Sequence, residues 1–343
     1  MAEVGRAGAP ARRREIVVIG ASAGGVEAMR EVAQGLPRDL DAAIFCVMHH
    51  PPGAKSYLPE ILTRAGPLPA LHAEDGERIR PGRIYVGPPD HHMLLADGHV
   101  RLSRGPHHNR HRPAVDPLFG SAARSYGPGV IGVVLSGTLD DGTAGLAKIK
   151  GAGGVALVQD PATAAHAGMP ESARTHVAVD RVVPLDRMAA AIVEAAREPV
   201  PDVTLPREPR LDEEFEGDLG MRTDMEEIGA PSVYACPECH GTLWEFDEEG
   251  VLQFRCRVGH SFSTEGLLEE HDGSLEFSLW AALRALEENA SLRRRLAKRM
   301  RDRKAGRVAD QYDAKASQVE RHASTLRELL LSKTGPTARQ ERE

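Results

Sequence analysis

Residues 16–25 have the sequence Ile16-Val17-Val18-Ile19-Gly20-Ala21-Ser22-Ala23-Gly24-Gly25. A short apolar run ends in a glycine-rich turn, and residues 26–32 then place apolar side chains at i, i+3 and i+4. This pattern predicts a strand, a tight turn and the start of a helix. Ser22 falls in the turn, where the unpaired N–H groups of a helix N-terminus point at whatever its hydroxyl attacks. The stretch therefore indicates Ser22 as a candidate nucleophile.

The glycine-rich turn also partly matches two known sequence patterns. Gly20, Ser22 and Gly25 occupy positions of the dinucleotide-binding pattern G-x-G-x-x-G, with the middle glycine replaced. That site also needs an acidic residue near the end of the second strand, where this chain has two histidines. Residues 20–24 also match G-x-S-x-G, the nucleophile elbow of α/β-hydrolases, but that elbow normally follows several strands rather than the first. Neither pattern fits the surrounding sequence.

Length and composition exclude several classes of protein. A chain of 343 residues, 41% of them hydrophobic, predicts one sizeable domain and something smaller. The net charge of −7 argues against nucleic acid as the main partner. Residues 1–14 contain arginines but lack the apolar segment and cleavage site of a signal peptide, and no stretch has the length of a membrane span. We expect a cytoplasmic protein without membrane insertion, with a disordered N-terminus over residues 1–14.

Short apolar runs alternate with helical stretches between residues 15 and 198. Three of the runs are apolar at nearly every position, as in parallel strands covered on both faces: 42–48, 130–135 and 155–158. The alternation predicts an α/β fold with a doubly wound, mostly parallel sheet in a Rossmann-like three-layer arrangement. Three further runs are predicted as antiparallel strands at a sheet edge: 83–87, 92–95 and 100–102. Asp116 is predicted as the N-cap of a helix that has proline at its first position.

Ser22, His49 and Asp141 each follow a buried strand. Because the carboxyl ends of parallel strands share one rim of a sheet, we expect these three side chains to lie together. A serine nucleophile needs a base to take its proton, and the base needs a carboxylate to fix its tautomer. The sequence therefore predicts a catalytic triad. His50 competes with His49 for the role of base, and the aspartates could instead cap the helix that follows them.

Five motifs follow one another along the chain: GASAGG at 20–25, HHPPG at 49–53, NRHRPAVD at 109–116, SGTLDDG at 136–142 and GMP at 168–170. Together they resemble the catalytic domain of the bacterial chemotaxis protein-glutamate methylesterases, the CheB family, over residues 15–198. The resemblance assigns the nucleophile to Ser22, the histidine to His49 and the aspartate to Asp141. His50 is then a bystander, and Asp140 stands where the family often has asparagine.

The resemblance implies hydrolysis of γ-glutamyl methyl esters on a methylated chemoreceptor-like protein, with deamidation of certain glutamines as a related activity and no cofactor in catalysis. Attack on the ester by Ser22 would form an oxyanion, which the Ala23 N–H can stabilise. His49 would protonate the departing methanol and then activate water. The family typically carries a receiver domain before the esterase, whereas fourteen residues precede the first strand here, so we expect a stand-alone form.

Several histidines between residues 91 and 111 suggest a metal site at first sight. No acidic residues are interleaved with them at ligand spacing, which argues against a metal there. In the resembling family the segment 109–116 is a structural or substrate-side loop. We therefore expect no metal among these histidines.

A second predicted unit follows a change in composition. Residues 199–232 are proline-rich and then acidic, which predicts a flexible linker. The spacing of the next cysteines and histidine, C-x2-C, sixteen residues, C-x3-H, is typical of a small structural zinc site. The predicted ligands are Cys236, Cys239, Cys256 and His260, with His271 in reserve. The predicted domain is a zinc-ribbon-like module over residues 233–272.

An alternative for this motif is haem attachment, because residues 236–240 fit C-x-x-C-H, but that modification requires export and no signal peptide is recognised.

Leucines then recur at helical spacing on both sides of a polar break at 304–306. They predict a helical hairpin or coiled coil over 273–333, suited to self-association, to docking of a signalling partner or to packing on the zinc module. Residues 334–343 are predicted to be a disordered tail. The alternative function is a non-catalytic signalling adaptor that uses the esterase fold and zinc-helix module to bind partners.

Overall fold

A computed structural model describes residues 13–50, 53, 55–200, 225 and 229–333. Most of the predicted N-terminal segment, most of the predicted linker and the whole predicted tail lie outside this described part. The chain divides into two compact units, Met1–Leu267 and Leu268–Glu343. Each unit is described by itself below.

The first unit contains a sheet of seven strands and the helices that cover it. The strands up to residue 183 are β1 (Ile16–Ala21), β2 (Ala43–Met48), β3 (Ala70–His72), β4 (Ile84–Val86), β5 (His92–Ala96), β6 (His99–Ser103), β7 (Val130–Val134), β8 (Val155–Gln159) and β9 (Arg181–Val183). The helices are α1 (Gly25–Gly35), α2 (Leu58–Ala65), α3 (Val115–Tyr126), α4 (Thr143–Gly151), α5 (Gly168–His176) and α6 (Leu185–Arg197). The sheet order is β3-β4-β2-β1-β7-β8-β9. Every pair of neighbours in it is parallel.

Alternate residues of β1 pack into cores on opposite faces of this sheet. Val17 and Ile19 join the apolar cluster formed with α1, α2 and α6. Ile16 and Val18 join the cluster formed with α3, α4 and α5. Burial on both faces explains why β1, β2 and β7 are apolar throughout. The predicted α/β fold with a mostly parallel sheet is confirmed.

The prediction of antiparallel strands at a sheet edge is correct only for residues 92–96 and 99–103. These pair antiparallel as β5 and β6, but they form a separate two-stranded sheet. Residues 84–86 pair in parallel with β2 and β3 inside the main sheet, so their predicted direction is wrong. A run of three residues carries no signal about its partner, because strand direction depends on contacts distant in sequence.

The first unit also contains a small antiparallel sheet, β10 (Ala230–Ala235), β11 (Thr242–Glu248), β12 (Val251–Cys256) and β13 (Ser261–Ser263), in that order. Glu249 and Gly250 join β11 to β12 with φ of 52° and 85°. Positive φ at both central residues is typical of the type I′ turn, whose twist matches that of the strands. Residues 229–267 are called the Cys-His module below.

The second unit, as far as it is described, consists of two long helices: α7 (Thr264–Asp302), which begins in the first unit, and α8 (Gly306–Lys333). Leu283, Ala323 and Leu330 are buried together between them. Arg294 binds Glu320 at 2.7 Å across the same pair. Helix α7 begins nine residues before the predicted start at residue 273. Ser263 acts as its N-cap and accepts the N–H of Gly266 at 3.0 Å. No helix in the described ranges combines the length and apolar character of a membrane span.

Candidate active site

Strands β2, β1 and β7 are adjacent in the sheet, and their carboxyl ends carry the three predicted catalytic residues. Ser22 directly follows β1, His49 directly follows β2, and Asp141 lies in the loop between β7 and α4. The strand order changes direction at β1, since β2 lies on one side of it and β7 on the other. Such a switch point opens a crevice at the carboxyl edge of a doubly wound sheet.

Hydrogen bonds connect the three side chains in series. Nδ1 of His49 lies 3.0 Å from Oγ of Ser22, and Nε2 of His49 lies 2.6 Å from Oδ2 of Asp141. An ionised carboxylate can only accept, so Nε2 carries the hydrogen of the neutral ring. Nδ1 is then free to accept the serine hydroxyl. The neighbouring His50 takes no part in this series, and burial followed by the charges of His72 and His49 lowers its pKa.

Asp141 is fixed by the start of a helix that is distant in sequence. Its Oδ2 accepts the N–H of Val115 at 2.7 Å, and its Oδ1 accepts the N–H of Asp116 at 3.1 Å. The side chain is 3% exposed. Burial acts to raise its pKa, but the hydrogen bond and charge of His49 and these two amides outweigh burial and lower the pKa below its usual range. The carboxylate therefore stays ionised beside the imidazole.

The turn after β1 is closed by backbone hydrogen bonds around Ser22. The N–H of Ser22 donates to the carbonyl of Ser136 at 2.9 Å, and the N–H of Gly25 donates to the carbonyl of Ser22 at 2.9 Å. Gly24 has φ of +74°, and a Cβ there would lie 2.8 Å from Oγ of Ser136. The hydroxyl of Ser136 donates to the carbonyl of Ala23 at 2.8 Å. Ala23 thus follows Ser22, the candidate nucleophile, in a turn closed by hydrogen bonds, and the oxyanion role of its N–H stays a prediction.

The prediction that Asp116 caps its own helix is wrong. The N-cap of α3 is Ala114, which has no side-chain cap. The carboxylate of Asp116 instead accepts the N–H of Gly145 in α4 at 2.7 Å. Burial, with the charge of Asp141 next, raises the pKa of Asp116 well above its usual range. The amides that a local cap would satisfy are bound by Asp141, which sequence spacing could not indicate.

Asp140 does not serve as a side-chain cap for α4 either, because the N-cap of that helix is Gly142 and has none. The side chain of Asp140 points to the Cys-His module, where it accepts the hydroxyl of Ser263 at 2.6 Å. Burial raises the pKa of Asp140 to about 6, although the hydrogen bond from Ser263 acts in the opposite direction. The two adjacent aspartates thus have different partners, and only Asp141 contacts His49.

His111 also lies in this site, although the sequence predicted no role for it. Its ring lies flat on the ring of His49, with centroids 3.7 Å apart and 6° between the planes. Burial, and then the charge of His49, lowers the pKa of His111 to about 4. His92 is fully buried, and its Nε2 lies 2.9 Å from the carbonyl of Pro106. The signal available in the sequence was the position of His111 within the motif at 109–116.

The four predicted metal ligands lie together in the Cys-His module. Their ligand atoms all lie within 4.8 Å of one another. Nδ1 of His260 is 3.7 Å from Sγ of Cys236 and 3.6 Å from Sγ of Cys256, and Sγ of Cys239 is 3.6 Å from Sγ of Cys256. Tetrahedral zinc with ordinary bond lengths requires about 3.8 Å between two sulfurs and about 3.6 Å between sulfur and nitrogen. The donor set and its spacing therefore fit this ion.

The α/β part of the chain is similar to proteins of a known family. The model of the family described as CheB methylesterase matches residues 17–192. A protein-glutamate methylesterase/protein-glutamine glutaminase 2 of Anaeromyxobacter dehalogenans is 44% identical over 56% of this chain and 57% of its own length. The similarly named protein of Pseudomonas aeruginosa is 42% identical over 53% of each chain.

A solved structure agrees with these matches. The crystal structure of the Thermotoga maritima CheB methylesterase catalytic domain has a TM-score of 0.51 and 35% sequence identity, over 52% of this chain and 97% of that one. The chain spans little more than half the length of the two curated relatives named above. The family model covers just over half of this chain. The chain therefore belongs to the CheB methylesterase family.

Proposed function

We propose that this protein is a carboxylic ester hydrolase that removes methyl groups from γ-glutamyl methyl esters of a chemoreceptor-like protein. The observation that carries the proposal is the series of hydrogen bonds from Ser22 through His49 to Asp141 at the switch point of the sheet. The family match and the names of the relatives support the choice of reaction. We include a cytoplasmic location in the proposal, since clustered thiols placed as metal ligands suit a reducing compartment.

In the proposed first step, Oγ of Ser22 attacks the ester carbonyl carbon while its proton moves to Nδ1 of His49. The imidazolium that forms is stabilised by the ionised Asp141 at Nε2, 2.6 Å away. The carbonyl oxygen becomes an oxyanion, and the N–H of Ala23, beside the start of α1, is the proposed donor to it. The C–O bond to the methoxy group then breaks, and His49 returns the proton to the departing methanol.

The proposed second step releases the acyl group from Ser22. His49 takes a proton from a water molecule, and the resulting hydroxide attacks the γ-glutamyl carbonyl. The ester bond to Oγ breaks, Ser22 regains its proton from His49, and the product is a glutamate side chain. A glutamine side chain would follow the same route with ammonia as the leaving group, which is the proposed deamidation. Neither step requires a cofactor.

We further propose that the Cys-His module holds one structural zinc ion. Its ligands are Cys236, Cys239, Cys256 and His260, whose spacing supports tetrahedral coordination. Four protein ligands close the coordination sphere, so the ion would stabilise the module and take no part in ester hydrolysis.

The proposed activity is tested by methanol release from methylated chemoreceptor fragments. The wild-type protein is compared with Ser22→Ala and with Ser274→Ala, a control at an exposed serine of α7. We expect Ser22→Ala to lower the rate at least about 10³-fold and the control to leave it unchanged. Ser22-dependent cleavage of an activated ester such as p-nitrophenyl acetate, without methanol release from receptor fragments, would keep the chemistry and reject the substrate. Silence of the wild type in both assays would reject the enzyme and favour the adaptor.

A further inference from the structure

One loop of the esterase, residues 107–112, lies between the active site and the Cys-His module. Near one end of the loop, His111 stacks on His49 with ring centroids 3.7 Å apart. Near the other end, the N–H of Asn109 donates to the carbonyl of Ser261 at 2.8 Å, and the N–H of Ser261 donates back to a loop carbonyl at 3.2 Å. The loop that places a ring against the catalytic histidine is thus bound by the backbone of the module.

Ser263 of the module binds two of the loops that carry active-site residues, the loop of His111 and the loop of Asp141. Its N–H donates to Oδ1 of Asn109 at 2.9 Å, and its hydroxyl donates to Oδ1 of Asp140 at 2.6 Å. Asp140 immediately precedes Asp141 in the chain. The same hydroxyl accepts the N–H of Gly266 at 3.0 Å, and the Ser263 residue is 2% exposed. A single buried hydroxyl therefore joins the module to the loop of the catalytic aspartate.

A carboxylate joins the proposed metal ligands to the same esterase loop. Nε2 of His260 lies 3.4 Å from Oε2 of Glu238, and Nδ1 of His107 lies 2.9 Å from that same oxygen. The other ring nitrogen of His260 faces the cysteine sulfurs. A histidine that binds a metal commonly donates its second N–H to a carboxylate, which fixes the ring. Here that carboxylate also binds an esterase residue, so the ligand set and the active-site loop share one hydrogen-bonded link.

The apolar core of the module is too small to hold Ser261, Ser263 and Glu238 in place by itself. Its buried cluster consists of Cys236, Leu243, Phe254, Cys256, Phe262 and Leu267. Two of these six are proposed metal ligands, so much of the cluster depends on the ion. Segments of this size usually fold only with a metal or a disulfide. The positions of Ser261 and Ser263 therefore depend on occupation of the site by a metal.

We propose that the metal-loaded Cys-His module is a positioning element of the esterase. Through Ser263 and Glu238 it fixes the loops that carry His111 and Asp141, and these two residues hold His49 in line with Ser22. Loss of the metal releases the loops and lowers kcat rather than substrate affinity. This inference rests on the proposed function, because it concerns the rate of that same site.

A matched pair of variants separates positioning from simple attachment of the module. Glu238→Gln weakens the link to the active-site loop. Glu248→Gln weakens a different contact between the module and the esterase, because Glu248 binds Lys148 of α4 at 2.6 Å. With zinc content confirmed for the full-length protein, we expect Glu238→Gln to lower kcat for p-nitrophenyl acetate about tenfold with KM within about twofold. We expect Glu248→Gln to change both by less than about twofold.

Ser263→Ala and Asp140→Asn test the second link. The alanine removes the hydroxyl, and we expect kcat to fall about tenfold with little change in KM. The asparagine keeps an oxygen that can accept from Ser263, so it should retain kcat within about threefold. Equal loss in Glu238→Gln and Glu248→Gln, or a change confined to KM, would overturn the proposal.

A second readout does not depend on catalysis. Hydrogen exchange of the peptide containing residues 107–112 is measured in the zinc-loaded protein and after removal of zinc with a chelator. We expect exchange there to rise at least about tenfold, with strand β7 unchanged as an internal control. Unchanged exchange of residues 107–112 in protein shown to be free of zinc would refute the proposed positioning role of the module. If no ester is cleaved by the wild type, the proposed function fails and this exchange measurement still decides whether the module holds the loop.

Discussion

The ring of His111 lies parallel to the ring of His49, with their centroids 3.7 Å apart and 6° between their planes. Burial and the neighbouring His49 lower the pKa of His111 to about 4. His111 therefore stays neutral near pH 7, so it would not repel the positive charge that His49 acquires in the proposed mechanism. The face of His111 covers one face of the His49 ring.

We expect His111→Ala to lower kcat for an activated ester about tenfold, because the ring of His49 loses the face that orients it. His111→Phe keeps a flat ring and should stay within about threefold of the wild type. The measurement is steady-state kinetics at pH 7.5 with both variants checked by circular dichroism. Equal losses in the two variants would show that a property other than the flat ring matters.

Asp141→Asn should lower kcat by about 10³- to 10⁴-fold, because an amide can present its N–H to His49 and favour the wrong tautomer. Asp186→Asn, at an exposed aspartate in the first turn of α6, is the control and should retain full activity. The pH profile of kcat/KM supplies an independent check. Since the pKa of Asp141 lies below its ordinary value of 3.8, this residue should contribute no limb to the profile above about pH 4.

Asp140→Asn should stabilise the protein at alkaline pH. Burial raises the folded-state pKa of Asp140 from 3.8 to about 6, so its contribution to stability is complete below about pH 3.8 and is lost as the pH rises through about 6. The asparagine carries no buried charge, and we expect a gain on the order of 2 kcal/mol at pH 8 that shrinks toward pH 4. Urea unfolding at both pH values measures it. A gain that is independent of pH would contradict this assignment.

Gly24→Ala should disturb the turn that carries Ser22, through both backbone strain and steric contact. The φ of +74° disfavours alanine, and the new Cβ would lie 2.8 Å from Cβ of Ala165 and from Oγ of Ser136. Gly98→Ala is the matched control, since Gly98 has φ of +80° and nothing within 4 Å of the added carbon. We expect both variants to lose about 1 kcal/mol or more of stability, and only Gly24→Ala to lose at least about tenfold in kcat.

Metal analysis of the purified protein should find one zinc ion per chain. Cys256→Ser should lose it, whereas Cys46→Ala should keep it, because Cys46 lies in β2 and burial raises the pKa of its thiol to about 12. Elemental analysis after extensive dialysis distinguishes the two variants. Zinc retained by Cys256→Ser at full stoichiometry would rule out the proposed ligand set.

The placement of the candidate catalytic residues could be predicted because it depends on strand ends alone. An apolar run of five or six residues is visible in the sequence, and parallel strands bring the residues after them to one edge. Strand ends alone, without any side-chain contacts, were enough to predict that Ser22, His49 and Asp141 lie close together. The direction of β4 was not predicted, and neither were β3 and β9, because these strands contain three residues each and depend on their neighbours in the sheet.

The partners of the predicted residues were beyond the reach of sequence patterns. Asp116 matches the local pattern of an N-cap, yet the amides at the start of its helix are bound by Asp141 from another loop. The contact between Ser263 and Asn109 joins residues 154 positions apart. Periodicity and spacing describe neighbours along the chain, whereas these contacts arise only when separate elements pack together.

Asp141 links the maintenance of the fold to the maintenance of the proposed chemistry. Active-site residues often lower the stability of a protein, so that their replacement raises the free energy of unfolding while it abolishes activity. The carboxylate of Asp141 instead binds two backbone amides at the start of α3 and contacts the imidazole of His49 as well. Substitutions that remove the carboxylate of Asp141 should therefore lower the stability of the protein as well as its activity, because they also weaken the start of α3.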